Sequence, residues 1–253
     1  MKDRDIRAVI LAGSQNDGAL SEESPERYEA LVPLWGRPMV DYVMGAVIEA
    51  RHIEGVVLVG FEEFSDQLDL GEVSLVRAGE TFVDSIARGV AATGDCDYLF
   101  FITADVPLVT GRILDNFIEK SLELGGDFFA PVVTREVSEA RYPGIERTYA
   151  RLRDAELTLG NCFLGTRECI KTLLPEFDRL YSMRKSVVRM AWTIGPLFLL
   201  RLALGRATIG DAERVFGRIA GAHGRAVLSS DPEIALDVDK PSHLHALARM
   251  RPD

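Results

Sequence analysis

Cysteine is scarce: Cys96, Cys162 and Cys169 are the only three in 253 residues. An odd number cannot all pair, and none sits in a CxxC or Cys/His zinc spacing. That argues against a disulfide framework or zinc site and for a reducing, cytoplasmic setting. Positive charge is short as well. Lys and Arg number 29 against 39 Asp and Glu, for a formal charge of −10. Taken whole, such a chain repels nucleic acid and anionic membrane, so neither is an expected partner. Any phosphate it handles must be held locally, by metal ions, backbone amides or a few cations. No apolar run reaches the roughly 20 uninterrupted residues of a bilayer span. The greasiest stretch, Val187 to Leu204, is broken by Arg189, Arg201 and Gly195-Pro196. The run Ala8 to Ala12 is too short for a signal-peptide core. A Walker loop, a GxGxxG and a Ser/His/Asp set are also missing. His52, His223, His243 and His245 have no nucleophile at a useful spacing and read as structural or surface residues.

What is present alternates short apolar runs with helical patterns. Arg7 to Leu11, Val56 to Gly60 and Tyr98 to Thr103 are apolar without polar alternation, as in strands buried on both faces. Pro38 to Ala50 and Thr81 to Ala92 carry the three-and-four spacing of amphipathic helices between them. This is an α/β chain: a mostly parallel, Rossmann-like sheet with helices on both faces. Further on, Phe128 to Val133, an exposed Arg147 to Arg153, Ala226 to Leu228 and Ile234 to Val238 read as strands. Pro241 to Met250 reads as a closing helix with Pro in its first turn. A single domain over residues 1–253 with a helical elaboration at about 167–222 is the simplest organisation.

In an open parallel sheet, ligands bind beyond the carboxyl ends of the strands. Ala12-Gly13-Ser14 follows the first strand, and a small-residue turn lets backbone amides approach a phosphate. The same turn is equally at home as plain structure. Asp105, in Ala104-Asp-Val-Pro-Leu108, ends another apolar strand, with Pro107 fixing the turn. Asp237 and Asp239 follow Ile234-Ala-Leu, and alternation in a strand puts them on one face. Magnesium takes one or two protein carboxylates plus phosphate oxygens and water, so acids from two remote strand ends suit Mg2+ beside a nucleotide.

Arg7-Ala-Val-Ile-Leu-Ala-Gly13, followed by Ala30-Leu-Val-Pro-Leu-Trp-Gly-Arg-Pro-Met39 at a helix start, resembles the amino-terminal signature of the MobA-like NTP transferases. These are relatives of molybdenum cofactor guanylyltransferase and the sugar-phosphate nucleotidyltransferases. The resemblance implies a glycosyltransferase-A-like fold and transfer of a nucleotidyl group from an NTP to a phosphorylated acceptor, with loss of pyrophosphate. It also implies site residues. Asp105 and Asp237 match the family's metal ligands, with Asp239 beside them. Leu11, Ala12, Gly13, Ser14, Glu29 and Ser85, together with Asp105, fall where the nucleotide is held. Gly160 and Asn161 fall in the acceptor-side loop, although they read equally well as a turn.

The departures concern charge. Where the family loop runs Leu-Ala-Gly-Gly-x-Gly-x-Arg, this chain has Ser14, Asn16 and Gly18 at the second Gly, the third Gly and the Arg. Glu29 stands at the family's Lys. Those two cations ordinarily neutralise the triphosphate. Arg27, Arg37 or another cation replaces them, or Glu29 binds additional metal, or the protein binds nucleotide without ordinary catalysis. A glycosyltransferase of the same fold, using Asp237-Val-Asp239, is the remaining alternative. Val187 to Leu204 is expected to pack as a helical insert, with a homodimer contact or cover for a hydrophobic acceptor as its other readings.

Overall fold

The computed structural model describes residues 4–183 and 192–250. At its centre β1 (Ile6–Leu11) and β4 (Tyr98–Thr103) run side by side in parallel, Leu11 opposite Thr103. Beyond β1 lie β2 (Gly55–Gly60) and β3 (Ser74–Arg77), also parallel. Side chains of a strand alternate between faces, and here both faces are covered. Ile6, Ala8 and Ile10 of β1, with Phe100 and Ile102 of β4, pack under α1 (Met39–Glu49) and α3 (Gly111–Leu124). Val9 and Leu11, with Leu99 and Phe101, pack on the other face under α2 (Phe82–Ala92) and α5 (Arg167–Met183). That double burial is why the strand sequences show no polar period.

On the far side of β4 the sheet turns antiparallel. There β5 (Phe128–Thr134) is followed by α4 (Arg135–Arg141), a short edge strand β6 (Ala150–Arg151), β7 (Glu156–Leu159) and β8 (Cys162–Thr166). Strand β8 inserts between β4 and β5, antiparallel to both, while β6 pairs with β7 at the edge. After α6 (Pro196–Ala203) and α7 (Ile209–Ala220), β9 (Gly224–Leu228) pairs in parallel with β5, and α8 (Pro241–Ala248) closes the chain. A nine-stranded mixed sheet results among the described residues.

Local chemistry sets several boundaries. Thr81, Thr110 and Thr208 cap α2, α3 and α7 by accepting from the N–H three residues on. Trp35 and Gly36 take positive φ (51° and 86°) to turn Pro33–Leu34 back on Arg37–Pro38, just before α1.

Three expectations are corrected. Ile234 to Val238 is not a strand: Pro232–Ala235 form a 3-10 turn. Pro232 has no N–H for a ladder, β9 already pairs along β5, and the Ile234 carbonyl accepts from Asn161 N–H. The polar strand expected over Arg147 to Arg153 shrinks to two residues, β6. The apolar insert does not pack as core: α6 buries no residue, and Leu197, Leu200 and Leu204 are 70%, 56% and 57% exposed. Val187 to Ala191, with the flanking Arg184 and Lys185, lies outside the described residues. No helix among the described residues is long and apolar enough to cross a membrane.

Candidate functional site at the β1–β4 edge

The chain runs outward from β1 to β2 and β3, then returns to β4 on the other side of β1. The strand order therefore reverses between β1 and β4, where open α/β sheets bind ligands. Ala104 N–H donates to Leu11 O (3.1 Å) and Ala12 N–H to Val59 O (2.8 Å) before the strands part. Beyond them opens a cavity lined by Leu11, Ala12, Gly13, Ser14, Glu29, Ser85 and Asp105, and by Gly79 to Phe82. The structure thus brings together all seven residues that the resemblance assigned to nucleotide. Gly13 is needed for space: a Cβ there lies 2.9 Å from Ala78 Cβ. Ser85 Oγ accepts from Gly79 N–H (3.0 Å), holding the facing loop against the turn.

The loop after Ser14 doubles back on itself. Asn16 N–H donates to Arg27 O, Glu29 N–H to Ser14 O, and the buried Asn16 amide donates to the carbonyls of Ser24 and Glu26. This fold sets Glu29 above Ser14 and beside Gly18, whose missing Cβ lies 3.9 Å from Glu29 Oε1. The two positions that the resemblance marks as cationic are therefore neighbours here, and neither holds a cation. Burial raises the Glu29 pKa, and the nearby carboxylates Asp105, Asp17 and Asp239 raise it further. Arg27 and Arg37 do not fill the gap: Arg27 reaches Glu63 (3.5 Å) and Arg37 reaches Asp41 (3.3 Å).

Asp105 and Asp237 come together although 132 positions separate them. Val238 N–H donates to Asp105 O (2.8 Å), tying the late loop to the end of β4. Burial pushes the Asp105 carboxyl up to about 6, against stabilising hydrogen bonds from Thr103 and Asn161, and the charge of Asp237 adds to the upward shift. Asp237 has a cation of its own. Arg147, with only 7% of its side chain exposed, donates Nη2 to Asp237 Oδ1 at 2.6 Å. Its buried Nε and Nη1 have no partner among the described residues. His243 braces the same loop from below, with Nε2 donating to Glu146 O (3.0 Å) and Nδ1 lying 2.9 Å from Asp239 Oδ1.

Sequence reasoning missed Arg147. Its neighbourhood reads as exposed polar chain, and no pattern there marks a buried guanidinium. Gly160 and Asn161 occupy the turn between β7 and β8. A Cβ at 160 meets Pro131 Cγ at 2.7 Å, so Gly160 serves packing, whereas the Asn161 side chain bonds Asp105. Asp239 is half exposed at the rim.

The donor set fits a small hard cation. No group of three or more His, Cys, Asp and Glu side chains forms a metal cage among the described residues. Two interacting carboxylates beside an open cavity are what Mg2+ takes when phosphate and water complete its shell.

Residues 8–191 match the model of the MobA-like NTP transferase domain. A solved structure described as a hypothetical transferase from Thermus thermophilus has a TM-score of 0.82 at 30% identity, over 95% of this chain and 99% of that one. The 4-diphosphocytidyl-2C-methyl-D-erythritol synthase of Anaerococcus prevotii shares the fold, with TM-score 0.62 and 11% identity over 99% and 100% of the two chains. The 2-C-methyl-D-erythritol 4-phosphate cytidylyltransferase of Clostridium perfringens is 23% identical over 128 residues, 47% of this chain and 55% of that protein. The chain thus spans about half the length of the cytidylyltransferases it matches in sequence.

Proposed function

The chain belongs to the MobA-like NTP transferase family, and from that premise we propose that it transfers an NMP group from an NTP to a phosphorylated small-molecule acceptor, releasing pyrophosphate, in a Mg2+-dependent reaction. The observation that carries this reading is the meeting of Asp105 and Asp237 at the strand-order reversal, beside a glycine turn shaped to let backbone approach a ligand.

Asp105 and Asp237, with Asp239 at the rim, would hold the metal, which supplies charge neutralisation to the triphosphate. The turn from Leu11 to Ser14 would cradle phosphate with its amides, and the Gly79–Phe82 wall, clasped by Ser85, would face the base. An oxygen of the acceptor phosphate attacks the α-phosphorus in line. The new P–O bond forms as the bond to pyrophosphate breaks, and the electron pair leaves with pyrophosphate. A phosphate's second pKa is near 6, so the attacking oxygen is already ionised at neutral pH and no general base is required. The attack then needs no histidine to take a proton from the acceptor. Phosphoryl-type transfer asks the protein mainly for positioning and charge. With Gly18 and Glu29 in place of two cations, this chain leaves more of that task to metal.

The cytidylyltransferase relatives make CTP the first nucleotide to try. Incubating the protein with each NTP, Mg2+ and a panel of sugar, alditol and cofactor phosphates should release pyrophosphate for one pairing. Asp105→Ala should lower that rate about a thousandfold. Tight nucleotide binding with no pyrophosphate from any acceptor would favour a sensor instead, and cleavage of nucleotide sugars alone would favour a glycosyltransferase.

A further inference from the structure

One surface lies outside the residues that line this site. Pro196–Ala203 begins on a proline, which has no N–H to leave unpaired, and carries Leu197 and Leu200, with Leu204 at its C-cap, three and seven positions after Leu197. That spacing lines one helical face, and all three are more than half exposed. Trp192, four positions before the helix, is 72% exposed. The strip is not a frayed end. Arg218 of α7 donates to the carbonyls of Thr193 and Ile194, pinning the approach to the helix. Arg201 and Arg214 share the buried Asp211, which locks α6 to α7.

The charge around the strip is opposite to that of the chain. Residues 192–218 hold four arginines (201, 206, 214 and 218) against two acids, Asp211 and Glu213, in a molecule of net charge −10. Both acids are turned inward: Asp211 is buried between arginines, and Glu213 accepts from Ala226 N–H. Arg206, Arg214 and Arg218 are exposed.

We propose that α6 and Trp192 form a docking surface for an anionic lipid bilayer, lying in the interface with leucine and tryptophan toward the acyl chains and arginine toward the headgroups. An exposed apolar stripe with Trp and Leu, bordered by basic residues, is the pattern of helices that lie in membrane interfaces. A second copy of the chain fits less well. A twofold contact brings two copies of the same basic patch together, and a head-to-tail contact ends in a closed ring only if its rotation closes. The net charge of the chain concealed this surface because it averages a basic patch into an acidic whole.

The full chain is mixed with sucrose-loaded vesicles of phosphatidylcholine alone or doped with phosphatidylglycerol, then centrifuged. The protein should sediment with the doped vesicles, less so as salt rises, and Trp192 emission should shift to the blue in a Trp35→Phe background. Leu197→Asp with Leu200→Asp should weaken binding by at least about tenfold, and Arg206→Glu should weaken binding to doped vesicles only. Circular dichroism and pyrophosphate release should stay unchanged in both variants, because none of these residues touches the β1–β4 site. Sedimentation with neither vesicle, equal binding to both, or binding unaltered by the leucine variant would overturn the proposal. So would a dimer on size exclusion that the leucine variant dissolves in a protein that ignores vesicles.

Discussion

Asp105 is held where its charge is costly without a cation. The unfolded carboxyl ionises near 3.9, whereas in the folded chain it ionises at about 6, chiefly because it is buried. Between those values the folded state holds more protons, so stability falls as pH rises through that window and stays lower above it. Asp105→Asn should therefore raise the stability of the metal-free protein at pH 7 by about 1 to 3 kcal/mol, read as a higher urea midpoint, while abolishing turnover. A lower midpoint would place the carboxylate's value in the fold. Glu29 makes a related case. It stands among Asp105, Asp17 and Asp239, without a basic partner among the described residues, and burial raises its pKa first of all. Glu29→Lys should lower the KM for NTP by about tenfold, and an unchanged KM would remove Glu29 from the triphosphate's path. Asp105 was legible in the sequence because it ends an apolar strand before a proline. Glu29 was legible only as a departure from a motif, and what it does instead follows from its neighbours.

At the scale of elements, tight packing on both faces of the sheet makes some small residues obligatory. A Cβ on Gly89 of α2 lies 2.5 Å from Val9 Cγ1 and 3.1 Å from Val59 Cγ2. Gly89→Ala gains up to about 1 kcal/mol of helix propensity but overpacks stiff β-branched neighbours. A net loss of about 1 to 2 kcal/mol is expected in thermal unfolding; a stabilised variant would show that α2 can lift off the sheet. The segment 143–149 acts through Arg147. Removing one partner of a buried ion pair costs about 3 kcal/mol, so Arg147→Met should destabilise by that order. Adding Asp237→Asn should recover part of the loss, and a double variant no more stable than the single would deny that the pair is coupled. Strands with two apolar faces could be read directly, as β1, β2 and β4 were. Strands β7 and β8 could not: Glu156–Leu159 and Cys162–Thr166 mix polar and small residues, and a tight turn at Gly160-Asn161 hides their pairing. The late strand expected at Ile234 failed for the opposite reason. Its residues are as buried as a strand's, yet their burial comes from a 3-10 turn packed beneath β5.

Across the whole molecule, the overall arrangement followed from apolar periodicity, and the cavity followed from where the strand order reverses. Charge was less legible, because composition gives a sum and the molecule segregates it. Acids gather at the sheet's carboxyl edge, with Arg147 set under Asp237 and the family's two cations gone, while arginines collect on the helical insert. Under the proposed function, a site so short of positive charge acquires it as metal with its substrate. The most direct test titrates Mn2+, as a paramagnetic stand-in for Mg2+, into the full chain with a non-hydrolysable NTP analogue and follows the free ion by electron paramagnetic resonance. The account predicts one tight ion per chain that depends on nucleotide and is lost in Asp105→Asn and in Asp237→Asn taken singly. Undiminished Mn2+ affinity in Asp237→Asn would contradict it.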